Sequence, residues 1–148
     1  VSGYQSPDWA TIAVGDELPA VAVELTPTVI VAGAVASRDF MPVHHDRDYA
    51  NAQGAPDIFM NILSSTGHCS RFLTDWAGVD ALVRRLAIRL GVPAMPGSTL
   101  TLTGAVTATS TDGDEGLVEI GLRATTELGD HLTGTATVSL PLASPSGA

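Results

Sequence analysis

A chain of 148 residues that is 45% apolar is long enough to bury one hydrophobic core and too apolar to remain a disordered polymer. No run reaches the roughly 18 apolar residues that span a bilayer, and the start lacks the basic and apolar regions of a secretory signal, so a cytoplasmic protein is expected. The net charge is −9 and every basic residue is an arginine, a balance that argues against nucleic-acid binding, which depends on clustered positive charge.

Residues 1–18 read as a lead-in anchored by Trp9 and Ile12, with a turn at Gly15-Asp16. From Leu18 to Ser37 the chain is rich in Val, Thr and Ala without a helical period, which predicts two extended segments separated near Pro27. A loop from Asp39 to His44 follows. Asp46 to Gln53 reads as a short helix capped by Asp46, and Gly54-Ala55-Pro56 ends it. The spacing then predicts one long helix from about Ile58 to Trp76, with Asp57 as N-cap and Gly78 just past its end. Ile58, Ile62, Ser65, Cys69, Phe72 and Trp76 fall at three- and four-residue steps, flanked by Phe59, Leu63 and Leu73. So wide an apolar surface predicts a largely enclosed helix. Gly67 in its middle costs about 1 kcal/mol in propensity and points to a close backbone approach. From Leu82 onward the pattern is of strands, with Leu86–Leu90, Thr99–Thr109, Leu117–Thr126 and His131–Leu140 separated by turns at Thr111–Gly116 and Gly129-Asp130. One domain over residues 1–143 and a disordered tail from Ser144 to Ala148 are expected. Cys69 is the only cysteine, so no internal disulfide forms and a small buried hydrophobe is its expected role.

The chemistry concentrates in the loop. Asp39 and His44 stand five positions apart with Pro42 between them, and a carboxylate with an imidazole in one loop can move protons near neutral pH. The residues alone leave open that Asp39 caps a turn and that His44 is a core hydrogen-bonder. His44, His45, Asp46 and Asp48 raise the question of a metal. Adjacent histidines in an extended segment point apart, and no second ligand cluster exists, so no metal is expected. His68 with Cys69 reads as core or interface, and His131 as a strand residue at a hairpin. Arg84, Arg85 and Arg89 form the one cationic cluster, either a phosphate site or a solvated edge.

Strands, one enclosed helix, then a run of antiparallel strands make an α+β layout, and a long central helix wrapped by one curved antiparallel sheet is the hotdog fold. Over nearly its whole length the chain resembles the MaoC-like (R)-enoyl-CoA hydratases. Their signature runs Gly-Asp-x-Asn-Pro-(Leu/Ile/Val)-His, then five residues and a small one. Asp39, Pro42, Val43, His44 and Ala50 match it at the right spacings. Arg38 stands in place of the glycine and Met41 in place of the asparagine. Ile12–Pro19 and Pro96-Gly97-Ser98-Thr99-Leu100 are also similar to the family. Ser37–Asp48, Asp57-Ile58-Phe59 with Asn61-Ile62-Leu63, Thr74–Gly78, Arg89–Pro93 and Leu128–His131 look like a narrower subgroup, the small MaoC-like subunits of actinobacterial steroid side-chain hydratases.

The resemblance implies an enoyl-CoA hydratase that adds water to the 17(20) double bond of a steroid-20-carboxyl-CoA. It selects Asp39 and His44, over His45, as the proton-transfer pair. The enolate would meet backbone N–H groups at the start of the central helix, around Asp57, Ile58 and Phe59. Val92 replaces a lysine common in the family, so CoA phosphates fall to Arg84, Arg85 and Arg89 or to a partner. The implied partner is a larger MaoC-like subunit, fused to a domain of unknown-function type 35, in an α2β2 assembly. A thiolase-like aldolase follows in the sequence of reactions. No cofactor is implied beyond the CoA of the substrate. One small domain has little room for both its helix and four sterol rings, so the acyl group is expected to extend toward the partner or under a loosened helix. Two other readings remain: a hotdog thioesterase, with Asp57 as its carboxylate, and a non-catalytic scaffold subunit.

Overall fold

Strict alternation builds the sheet. In β4 (Glu115–Thr126), Val118, Ile120, Leu122 and Ala124 are buried while Glu119 and Arg123 face the other way. The computed structural model describes residues 5–142 and joins β4 to β3 (Thr99–Asp112) and β5 (Gly129–Pro141) in two tight hairpins. Gly113 and Gly129 turn those hairpins with φ of 60° and 123°, values that suit glycine. β1 (Glu17–Glu24) pairs with β3 at one edge and β2 (Leu82–Leu90) with β5 at the other. The result is a five-stranded antiparallel sheet in the order β1-β3-β4-β5-β2.

One helix covers the apolar face. α3 (Ile62–Ala77) buries Ser65, Cys69, Phe72, Leu73 and Ala77, and its apolar members share one core cluster with Leu100, Ile120 and Val138 of the sheet. This is the hotdog arrangement expected from the order of elements. Trp9 and Ile12 pack on the same core, as expected of anchors. The short helix α2 (Arg47–Ala52) is capped by Asp46, whose carboxylate accepts from the Tyr49 N–H. No helix among the described residues is long and apolar enough to cross a membrane. The expected tail, Ser144–Ala148, lies outside the described residues.

Four expectations need correction. The second extended segment is a helix, α1 (Pro27–Ala36). Val29, Ile30 and Val31 favour strands locally, but Thr26 accepts from the Val29 N–H, Pro27 occupies the first turn, and Ile30 and Ala34 bury one turn apart. The central helix begins at Ile62 rather than Ile58. Asp57 is engaged by Arg47 and by its own neighbour's N–H, while the Met60 N–H bonds the Ala94 carbonyl at 2.8 Å, which holds residues 58–60 out of the helix. Asn61 is the true cap, its side chain accepting from the Ser64 N–H at 3.0 Å. Nor is α3 enclosed on all sides in this chain, since Ile62 and Leu63 are 50% and 52% exposed. Gly67 meets nothing on its open side. The close approach is at Gly33 of α1, where a Cβ would run into the Ser64 hydroxyl.

Candidate active site

The geometry of the loop follows from how α1 ends. Ser37 is its C-cap, the Arg38 N–H bonds the Val35 carbonyl at 3.0 Å, and the Asp39 N–H bonds the Ala34 carbonyl at 2.9 Å. That pair of bonds is a Schellman motif, and its left-handed position is normally glycine. Arg38 occupies it with φ of 57°, the one described non-glycine residue with positive φ. The signature's glycine therefore has a backbone reason, and Arg38 meets the same geometry at a steric cost.

Asp39 leaves this motif facing His44, which sits at the end of a 3-10 turn over Pro42–His44. His44 is 7% exposed, and its Nε2 lies 3.4 Å from Asp39 Oδ2. The gap keeps the groups in electrostatic contact but outside a tight hydrogen bond. On the other side of the ring, Nδ1 is 2.7 Å from the Phe59 carbonyl, which can only accept, so Nδ1 carries hydrogen and Nε2 is the atom turned to the site. The Phe59 ring meets the imidazole edge to face at 5.1 Å. His45 is exposed.

Asn61 completes the group. Its Nδ2 donates to Asp39 Oδ2 at 2.9 Å and to Ser37 Oγ at 2.8 Å. The Asn61 amide, with the Met41 N–H and the nearby His44 ring, holds the Asp39 carboxyl below its ordinary range, against the opposing effect of partial burial. Asp39, His44, Phe59 and Asn61 line a cleft of about 320 Å³ with Ile62, Leu90, Val92 and His131. A larger depression of about 680 Å³ lies elsewhere, along β1, β3 and β4. It holds Glu17 and Arg123 but no carboxylate–imidazole pair, so the smaller cleft is the better site.

Beneath the cleft His131 is 2% exposed, with Nε2 2.8 Å from Ser65 Oγ and Nδ1 2.8 Å from the Val92 carbonyl. It ties β5 to the first full turn of α3 and to the loop after β2. Burial lowers its pKa, only partly offset by the Val92 bond. Among the described residues no three His, Cys, Asp or Glu side chains converge on a possible metal position.

The other predicted site residues separate. Asp57 and Ile58 do not line the cleft: the Asp57 carboxylate takes the Arg47 Nε–H and the Ile58 N–H, so neither group awaits an oxyanion. Phe59 enters the site through its carbonyl and ring. At the true helix start the Ser64 N–H is capped by Asn61, which leaves the Ile62 and Leu63 N–H groups without an intrahelical acceptor. Arg84 is engaged by Glu115 and Ser139. Arg85 and Arg89 are exposed on β2, opposite Thr137 and Thr133, and the three arginines do not line the cleft. Sequence reasoning missed Asn61 and Ser37. The signal for Asn61 was a second cap-forming residue four positions after Asp57.

No family model matches the chain. It is 46% identical over 127 residues to the 3-oxo-4,17-pregnadiene-20-carboxyl-CoA hydratase beta subunit of Mycobacterium tuberculosis, covering 86% of this chain and 95% of that protein. The chain belongs to the MaoC-like hydratase family. This MaoC-like hydratase also superposes on a chain of the ChsH1–ChsH2 complex from M. tuberculosis with a TM-score of 0.81 and 47% identity, covering 86% of this chain and 98% of that one. The fold extends to an (R)-hydratase from A. caviae involved in PHA biosynthesis, with a TM-score of 0.79, 22% identity, and 88% and 98% of the two chains covered.

Proposed function

We propose that this MaoC-like hydratase adds water across the α,β double bond of a steroid enoyl-CoA, the 17(20) bond of a steroid-20-carboxyl-CoA, within a two-component complex. The observation that carries the reading is the Asp39–His44 pair, 3.4 Å apart, beside the first turn of α3 in a member of this family. In this reading a water contacts both groups from the cleft, and His44 enters the step as an imidazolium with hydrogen on both Nδ1 and Nε2. Asp39 accepts a proton from the water as its oxygen bonds the β-carbon, and His44 Nε2 delivers its proton to the α-carbon, which takes it up with the π electrons of the double bond. The proton gained by Asp39 then returns to His44 across the short gap. The thioester oxygen, carrying enolate charge in the transition state, takes the Ile62 and Leu63 N–H groups at the positive end of α3.

A cleft of about 320 Å³ is at the small end of ligand pockets and must also admit the thioester. The rings therefore extend beyond this chain. Phe40, Met41, Ile62, Leu63 and Leu90 are large apolar residues exposed on or near the site, as suits a face that a partner covers. The partner in this reading is a larger MaoC-like subunit fused to a domain of unknown-function type 35, in an α2β2 assembly. A beta-subunit relative and a two-component complex support a second subunit as the partner. Arg85 and Arg89 remain the candidates on this chain for CoA phosphates, and a thiolase-like aldolase would consume the 17-hydroxy thioester.

The test is hydration of the steroid enoyl-CoA by the reconstituted complex. Asp39→Asn and His44→Ala should each lower kcat by roughly 10²- to 10⁴-fold with the complex intact. Hydration near the wild-type rate in both variants would make the chain a scaffold. Release of free CoA without a hydrated product would favour a thioesterase, although Asp57, the carboxylate that reading needs, is held by Arg47 outside the cleft.

A further inference from the structure

The site contains a buried amide that no proton-transfer step uses. Asn61 is 2% exposed, and its side-chain bonds run to three different parts of the site. Nδ2 donates to Asp39 Oδ2 and Ser37 Oγ, and Oδ1 accepts from the Ser64 N–H. A backbone N–H can only donate, so the amide orientation is settled: oxygen toward α3, both hydrogens toward Ser37 and Asp39. We propose that Asn61 is a positioning residue that sets the Asp39 carboxylate and the first turn of α3 relative to each other through one side chain.

Ser37 is the C-cap of α1, and its hydroxyl is turned onto the Gly33 carbonyl at 2.8 Å, which leaves a lone pair for Asn61. The amide thus joins the exit of α1, the proton acceptor and the entry of α3. Asp39 has no other close donor among the described residues. The Met41 N–H is 3.4 Å from Oδ1, and His44 Nε2 is 3.4 Å from Oδ2, against 2.9 Å for Asn61. Gly33 permits the contact, because a Cβ there would strike Ser64 and hold the two helices apart. In the hydratase signature an asparagine lies two residues after the aspartate. Here that position is Met41, and the amide bound to Asp39 comes instead from the helix cap.

A cap alone does not require asparagine. Serine and aspartate cap helices about as well, but an ionised aspartate has no hydrogen to donate, and the single oxygen of serine stops a bond length short of the Asn61 amide nitrogen that reaches Asp39. Asn61→Ser and Asn61→Asp therefore keep the cap and remove the donor. The proposal rests on Asp39 acting as the base in hydration, so two readouts are paired. One is the pH profile of hydration by the reconstituted complex. The other is the carbon-13 NMR titration of the Asp39 carboxyl in this chain, which needs no substrate. Besides Asp39, the titratable groups lining the cleft are His44 on the 3-10 turn and His131 on β5; Arg38, next in the chain, is exposed.

In the serine variant kcat should fall roughly ten- to hundredfold with KM little changed. The acid limb of kcat/KM and the Asp39 titration should both move to higher pH, because the ionised carboxylate loses its strongest donor. Aspartate should move them further, since a second carboxylate opposes ionisation. Wild-type kcat with an unmoved Asp39 titration in both variants would overturn the proposal. So would a lowered melting temperature with that titration unmoved, which would make Asn61 a cap and nothing more. A wild-type complex unable to hydrate would remove the hydration reading, and the titration would still decide whether Asn61 holds Asp39.

Discussion

Lowering the pH from about 7 to about 5.5 should cost up to about 1.3 kcal/mol of stability through His131 alone. The Nδ1–H of His131 donates to the Val92 carbonyl, so Nε2 holds a lone pair and accepts from the Ser65 hydroxyl. At 2% exposure the ring has no solvent to stabilise a second proton, and burial lowers its pKa. In the unfolded chain a histidine titrates near about 6.5. The unfolded state therefore binds a proton as the pH falls through about 6.5, while the folded state lags behind. The contribution is complete above that value and is lost as the pH falls toward the lowered folded value. The figure is the upper bound, reached if the folded ring stays neutral throughout, and corresponds to about 3–5 °C in melting temperature for a domain of this size. Urea unfolding at the two pH values, on wild type and His131→Gln, measures it. The glutamine cannot titrate, so its stability should depend less on pH. His68, whose pKa burial also lowers, contributes to both proteins and cancels in the difference. An equal loss in wild type and variant would refute the reasoning.

Two further outcomes follow from the core. Burial pushes the Cys69 thiol up to about 11, and the residue is 1% exposed, so a thiol reagent at neutral pH should leave it unmodified in the native chain and react rapidly once urea unfolds it. Gly116 lies directly against the Trp9 ring, which leaves no space for a Cβ. Gly116→Ala should displace the indole, shift its fluorescence to longer wavelength and cost about 1–3 kcal/mol in urea unfolding.

Much of this architecture is legible in the residues. The strands from Leu82 to Pro141 announce themselves by alternation and by Gly and Asp turns, and α2 by its Asp46 cap. Asp39 and His44 were visible as a pair because their spacing matches a known signature. What was not legible depends on distant partners. α1 has apolar residues all round and β-branched residues at its centre, so neither periodicity nor propensity marks it. The start of α3 was misplaced because Asp57 and Asn61 are both good caps. The choice between them is made by Arg47 and by the Ala94 carbonyl, more than thirty residues away, which bonds Met60. The proposed oxyanion donors moved with that boundary, from Asp57–Phe59 to Ile62 and Leu63.

Arg38 shows where this fold tolerates tension. A left-handed arginine immediately before the proposed base costs the native state about 1 kcal/mol that glycine would not. Glycine takes this conformation without that cost, and the two backbone bonds that turn the chain here do not depend on the side chain. A library screened for thermal survival alone should therefore recover at this position the glycine that the hydratase signature already carries.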